Sequence, residues 1–445
     1  MDAEVVVLPY PAQGHINPAA ALAETLALRG LRVALITTTA LSKTATFHHT
    51  PATPIAIHHL SDGHERATQP ETTEAYLARL EANLSRSLAA FLDERGQVKA
   101  VVYDSIMPWV LDIAHERGLL GAVFFTQSCS VSAVYYHLKQ GLVRLPYDQG
   151  SATDLPALPP LRPRHLPSFA HVDSQRTTVD FLGRQFDNLE RADWIFFNSF
   201  HKLESQVLEW MAKQWPVKAV GPTYLLLQKR KRLVSNHIIS LFEPKQDEAC
   251  REWLDARGSG SVVYVSFGSL APLRKEQMEE LAHGLAMSNC PFLWVVRASE
   301  MDKLQPLTSF DLERGLVVEW CHQPQVLAHR AVACFVSHCG WNSTLEALSH
   351  GVPLVAMGQL YDQPTNAMFV EDVWGFGIGV RAREDGIVGR EEIAMRVKQV
   401  VEGDEGIELK KNACKWKGLA DEAVEQGGTS STNIDEFVST LTKIE

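Results

Sequence analysis

The chain contains no Cys-x-x-Cys pair, no Gly-x-Gly-x-x-Gly turn, no Asp-x-Asp triplet, no excess of basic residues and no apolar run long enough to span a membrane. Each absence removes a class of protein. The seven cysteines (129, 250, 290, 321, 334, 339 and 414) are scattered and odd in number. Neither a disulfide framework nor a zinc site is indicated, and a reducing compartment, the cytosol, is the expected location. A formal net charge of −11 lacks the cationic stripe needed to displace counterions from phosphates, which sets nucleic acid aside. The one basic run, Lys229-Arg230-Lys231-Arg232, is expected to be a solvated linker. The apolar stretch Val5 to Leu8 starts almost at the terminus without a basic n-region, so it is not expected to be a secretory leader. Without the glycine fingerprint, a nicotinamide-dependent reductase is disfavoured.

What is present is ordinary globular composition, 45% apolar and 21% charged, in a length of 445 residues that favours two domains. Glu4 to Leu8 makes a buried strand. Asn17-Pro18 places a capping residue and Pro at the start of a helix running to Arg29, and Leu31 to Thr37 is the next strand. Ala100 to Tyr103, Trp109 to Arg117 and Ala122 to Phe125 repeat the alternation. After a lapse in periodicity it resumes with Ser261 to Phe267, Lys275 to Ala286 and Phe292 to Arg297. The expected fold is α/β, two doubly wound Rossmann-like domains facing a cleft. The boundaries implied are 1–225, a linker 226–248, 249–427, and a last helix 428–445 able to pack on either domain.

The stretch from Trp320 to Gln363, WCHQPQVLAHRAVACFVSHCGWNSTLEALSHGVPLVAMGQLYDQ, concentrates the polar positions. A strand Val317 to Glu319 puts Trp320 at its carboxyl edge, where an indole can stack on a flat base or simply fill a core. A second strand, Ala333 to Ser337, runs into a helix whose free N–H groups make a seat for a diphosphate, with His338, Asn342 and Ser343 supplying side chains. On spacing alone, Ser343 and Glu346 form a Ser-x-x-Glu capping box. A third strand, Pro353 to Met357, leads to Asp362 and Gln363.

This segment strongly resembles the signature box of the plant UDP-dependent glycosyltransferases of secondary metabolism. The likeness extends over almost the whole chain, including the PxxGH loop ending at His15, Tyr103-Asp104-Ser105 and the Gly-Gly-Thr-Ser-Ser tail. It implies a GT-B fold and UDP-glucose as co-substrate, with no cofactor, and because the chain has no Asp-x-Asp triplet the charge on leaving UDP is expected to be met by dipoles and His338 instead of a divalent metal. By resemblance the Cys321 backbone reads uracil, Gln323 reaches the nucleoside, and Glu346 takes the ribose hydroxyls. Ser269 contacts the phosphates, Trp341 and Thr126 contact the sugar, and Asp362 with Gln363 holds its hydroxyls. Gln at the final box position goes with glucose. The family usually has Pro at 358 and Trp at 360. Gly358 and Leu360 here are expected to loosen that loop and widen the acceptor mouth near Tyr361.

Glucosyl transfer needs a base near neutrality beside the anomeric carbon. His15, in the first βα turn, fits it, and Asp104, after a neighbouring strand, would fix its tautomer. The competing reading of Asp104 is a helix N-cap. The family pattern matches His and Asp to these two positions and implies single displacement with inversion. The other classes weighed are a non-catalytic nucleotide-sugar binder and the disfavoured reductase. Met107, Tyr136, Phe181 and Tyr361 are candidates for the wall of a lipophilic acceptor pocket, and the resemblance leans to a monomer.

Overall fold

The computed structural model describes residues 3–47, 55–64, 71–143, 153–171, 176–231, 239–240, 246–270, 272–304 and 314–444. The first half contributes strands β1 (Glu4–Leu8), β2 (Arg32–Thr38), β3 (Ile55–Leu60), β4 (Val98–Asp104), β5 (Leu120–Phe125), β6 (Trp194–Phe197) and β7 (Val217–Ala219). They form one sheet in the order β3-β2-β1-β4-β5-β6-β7. The second half contributes β8 (Val262–Ser266), β9 (Phe292–Val295), β10 (Gly315–Val318), β11 (Val332–Ser337), β12 (Leu354–Ala356) and β13 (Gly377–Gly379), ordered β10-β9-β8-β11-β12-β13. All pairings within these two sheets are parallel.

The sequences of the central strands explain that arrangement. Both β1 (EVVVL) and β8 (VVYVS) are buried at every position, as a parallel strand covered by helices on both faces requires. In each sheet the first strand lies in the middle: β1 pairs with β2 and β4, and β8 with β9 and β11. Strand order therefore reverses at β1/β4 and at β8/β11, and each reversal opens a crevice at the carboxyl edge. The two crevices share a single cavity of about 870 Å³ lined from both domains.

Two elements differ from the sequence expectation. The first helix is Gln13–Ala27, so it starts before Asn17 and carries Pro18 inside it. Pro18 has no N–H for the carbonyl of Gly14, its i−4 partner, but that carbonyl accepts a bond from Asn342 Nδ2 of the other domain at 2.7 Å. A tertiary partner thus replaces the missing helical one. The expected linker begins as helix, Thr223–Lys231, in which Lys229 pairs with Asp421 at 3.0 Å. The side chains of the rest of the basic run, and residues 232–238 and 241–245 of the linker, lie outside the described residues. Ile239–Ser240 makes a short antiparallel pair with Thr46–Phe47.

The last helix, Thr429–Leu441, packs on the first sheet. Phe437 meets Trp194 and Phe196 edge-on at 5.5 and 5.1 Å, while Ser430 Oγ and Asn433 Nδ2 donate to the carbonyls of Gly221 and Ala219. Among the described residues no helix is long and apolar enough to cross a membrane.

Candidate active site

Parallel neighbours β1 and β4 bring His15 and Asp104 together. His15 stands in the first turn of the helix after β1, and Asp104 is the last residue of β4. Their side chains meet at 2.7 Å, His15 Nδ1 to Asp104 Oδ2. The other carboxylate oxygen accepts the Ile106 N–H at 3.2 Å. The helix-cap reading of Asp104 is replaced, because the next helix starts at Val110 with Trp109 as its N-cap. Thr126 Oγ1 also lies 3.1 Å from His15 Nδ1, so Thr126 stands beside the imidazole. Burial pulls the His15 pKa down, but the Asp104 charge and hydrogen bond, with Asp362 adding, outweigh it and leave the imidazole above its ordinary value. With Nδ1 bonded to Asp104, Nε2 is the ring nitrogen left for a substrate.

Opposite, the crevice between β8 and β11 forms the second wall. The strand β11 ends at Ser337, His338 follows, and Cys339 adopts a left-handed φ of 61°. That turn is held by Cys339 N–H to Ser337 Oγ at 3.1 Å and Asn366 Nδ2 to the Cys339 carbonyl at 3.0 Å. The helix Trp341–His350 then begins with Gly340 as N-cap and no side-chain cap. The expected capping box does not form: the helix starts earlier than that spacing assumed, so Ser343 and Glu346 sit inside it, about one turn apart on one face. Both reach Gln323 instead, whose Nε2 donates to Ser343 Oγ at 2.9 Å and Glu346 Oε2 at 2.7 Å. Tyr264 Oη donates to Gln323 Oε1 at 3.2 Å and lies 3.7 Å from Cys321 Sγ. Trp320 lines the cavity next to them. Burial raises the Glu346 pKa to about 7, the Gln323 bond opposing it.

His338 lies between two glycines that need to be glycines: a Cβ on Gly268 (φ +72°) or on Gly340 would fall 2.7 or 2.5 Å from its Nε2. Burial, with the Arg297 charge adding, drives its pKa down to about 4. The expectation that His338 answers phosphate charge is therefore refined: near neutral pH it does so as a neutral dipole. Ser269 lines the same wall, its carbonyl held by Arg297 Nη1 at 2.6 Å. Trp341 lines the cavity, but its Nε1–H is committed to the Asn198 carbonyl at 2.7 Å, so the indole bridges the domains.

At the end of the box, Asp362 is bonded by Asn366 Nδ2 at 2.7 Å, and burial raises its pKa to about 6. Gln363 Oε1 accepts the N–H groups of Gln359 and Leu360 at 3.0 and 2.9 Å. A Cβ at Gly358 would meet the Gln363 backbone at 2.8 Å and Pro364 N at 3.0 Å, so glycine here allows close packing. Among the described residues no group of three or more His, Cys, Asp or Glu side chains is arranged to hold a metal.

Of the four acceptor-wall candidates, Phe181 and Tyr361 line the cavity, and Met107 and Tyr136 do not. Met107 is core, 2% exposed. Tyr136 packs in an aromatic cluster with Phe186, Trp210 and Trp215. Residues on the helix Cys129–Lys139 are about 100° apart, so it is the adjacent Tyr135 that faces the cavity. Tyr10, edge-on to His15 at 5.3 Å, and Tyr76 also line it. Sequence reasoning missed Tyr10, Tyr135, Tyr264 and Arg297. Two of them carried a signal in their placement, since Tyr10 follows β1 and Arg297 follows β9 at a carboxyl edge.

Comparison with known proteins agrees with this fold. The family profile described as "UDP-glucoronosyl and UDP-glucosyl transferase" matches residues 237–419. UDP glycosyltransferase 9 of Catharanthus roseus is 44% identical over 459 residues, 98% of this chain and 96% of the relative. Mogroside I-E synthase of Siraitia grosvenorii is 44% identical over 452 residues, 98% and 97% of the two chains. The crystal structure of Os79 from O. sativa in complex with UDP covers 98% of this chain and 100% of its own, at a TM-score of 0.89 and 36% identity. Two parallel-sheet domains facing one cleft make the GT-B fold, and with similarity running the full length of these relatives, this chain belongs to the plant UDP-dependent glycosyltransferases.

Proposed function

We propose that the protein transfers glucose from UDP-glucose, with inversion, to a hydroxyl or carboxyl of a small lipophilic acceptor such as a steroid, triterpenoid or phenolic. The observation that carries this reading is the 2.7 Å His15–Asp104 pair facing, across one cavity, the uncapped N-terminus of Trp341–His350. With the Nδ1 proton directed at Asp104, Nε2 takes the proton of the acceptor O–H. The acceptor oxygen forms its bond to the anomeric carbon as the bond from that carbon to the β-phosphate oxygen breaks, and the electron pair leaves on UDP. A β-glucoside results.

Each part of the donor then has a seat. Trp320 stacks on the uracil, whose edge meets the Cys321 backbone, and Gln323 and Glu346 take the ribose. Ser269, His338, Asn342 and Ser343 surround the diphosphate, where helix N–H groups stabilise the leaving charge. Asp362 and Gln363 receive glucose hydroxyls, with Thr126 and Trp341 bordering the sugar. Phe181 and Tyr361 line the acceptor side. Both walls come from one chain, which supports a monomer, and the seven unpaired thiols suit the cytosol.

The test is incubation with UDP-glucose and a panel of phenols, carboxylic acids and steroids, reading UDP release and glucosylated product. UDP release that requires an acceptor supports the proposal. Binding of UDP-glucose without transfer to any acceptor contradicts it.

A further inference from the structure

Tyr361 combines features that a merely surface-exposed loop residue would not. Its φ is 53°, a left-handed conformation that is strained for a residue bearing a side chain. The residue is 41% exposed yet lines the cavity. The strained backbone is gripped from the other domain, where Ser168 uses its N–H and its hydroxyl on this one residue. The Tyr361 N–H donates to Ser168 Oγ at 2.8 Å, and the Ser168 N–H donates to the Tyr361 carbonyl at 3.0 Å.

Ser168 is in a position to hold rather than follow. Its segment is anchored by the buried Phe169, packed 5.5 Å from the ring of Tyr135, and by the His165 carbonyl, which accepts Thr365 Oγ1 at 2.7 Å. On the Tyr361 side, Gln363 Oε1 already satisfies the two preceding N–H groups of the loop. The clasp therefore fixes where the Tyr361 ring stands, and the ring stands among acceptor-side residues: its hydroxyl is close enough to bear electrostatically on those of Tyr10 and Tyr135.

We propose that Ser168 is a specificity-determining positioning residue, holding Tyr361 across the domain boundary so that its ring forms part of the acceptor wall. This rests on the glucosyl-transfer reading above and adds to it the device that sets acceptor range. Ser168 touches no substrate; it acts through Tyr361. With the side-chain bond removed, the loop relaxes toward an ordinary backbone conformation, the ring leaves the wall, and acceptors of different girth are discriminated less.

The experiment measures kcat/KM for 4-methylumbelliferone, quercetin and testosterone, together with UDP-glucose KM, in wild type, Ser168→Ala, Ser168→Thr, Tyr361→Gly and the double variant Ser168→Ala/Tyr361→Gly. In Ser168→Ala the ratio between the best and worst acceptors should shrink by about three- to tenfold, the loss of one such hydrogen bond. UDP-glucose KM should stay within about twofold, and Ser168→Thr, which keeps the hydroxyl, should restore the ratio. Adding Ser168→Ala to Tyr361→Gly should change nothing further. An unchanged ratio in Ser168→Ala overturns the proposal, as does an equal effect in the Tyr361→Gly background. A wild type that glucosylates none of the panel contradicts the functional reading and the specificity role together. Hydrogen exchange at the Tyr361 amide separately tests the clasp, which predicts faster exchange in Ser168→Ala and is refuted by an unchanged rate.

Discussion

At the carboxyl edge of the second sheet, the donor-side groups come chiefly from one stretch, residues 320–363, and hold one another: Gln323 joins Ser343, Glu346 and Tyr264. At the edge of the first sheet, His15 is met by Asp104, 89 residues away, and by Thr126, 111 residues away, and the surrounding wall includes Tyr10, Tyr76, Tyr135 and Phe181. One edge is a seat assembled locally around a helix terminus. The other is a reactive pair that only sheet topology assembles. The difference suggests that the donor half fixes what is bound and the acceptor half fixes whether and where it reacts, so perturbations of the two should separate into affinity and rate.

The sharpest separation is expected from His15→Ala. Removing the base should lower kcat by about a hundred- to ten-thousandfold while UDP affinity, measured by calorimetry, holds. Weaker UDP binding in that variant would merge the two regions. Asp104→Asn should follow at roughly ten- to a thousandfold in kcat, with a shift in pH profile. Asp104 holds the His15 pKa above its ordinary value, and a base must be neutral to act, so the wild-type rate rises as pH passes upward through that raised pKa. Loss of the Asp104 charge lowers the His15 pKa, and the acid limb should move to lower pH. A limb that stays in place would show that Asp104 acts otherwise.

On the donor side the expected effect is in KM. Glu346→Gln should weaken UDP-glucose binding by about ten- to a hundredfold, with kcat at saturation nearly kept. Burial raises the Glu346 pKa to about 7, and the proposed ribose hydroxyls would donate to its ionised form. Binding should therefore strengthen as pH rises through about 7, and the glutamine variant should lose that dependence in direct titration. The smallest change is expected from Gly358→Ala. Its Cβ would collide with the Gln363 backbone, so the loop must shift and UDP-glucose KM should rise roughly threefold. An unaltered KM there would detach Gln363 from the sugar.

The same contrast explains what could be read from the sequence. The two doubly wound halves were legible because β-branched runs such as Val5-Val6-Val7 alternate with helical periodicity, and the donor box because its positions are contiguous. Helix starts were less so: Pro18 signals a first turn in isolation, and only Asn342, far along the chain, makes it acceptable inside a helix. For Glu346 the local capping pattern gave way to a tertiary partner, Gln323. The acceptor wall was the least legible, since Tyr135 and Tyr136 are neighbours in sequence and part company only by helix rotation. The close packing of Gly358 against Gln363 and Pro364 likewise leaves no trace in residue type.

The division between a base on one edge and a UDP seat on the other requires that the acceptor attack from the side opposite the leaving group. The anomeric configuration of the product, read by proton NMR from a single turnover of UDP-α-glucose, tests this directly. A β-glucoside is predicted, and an α-glucoside would contradict the account.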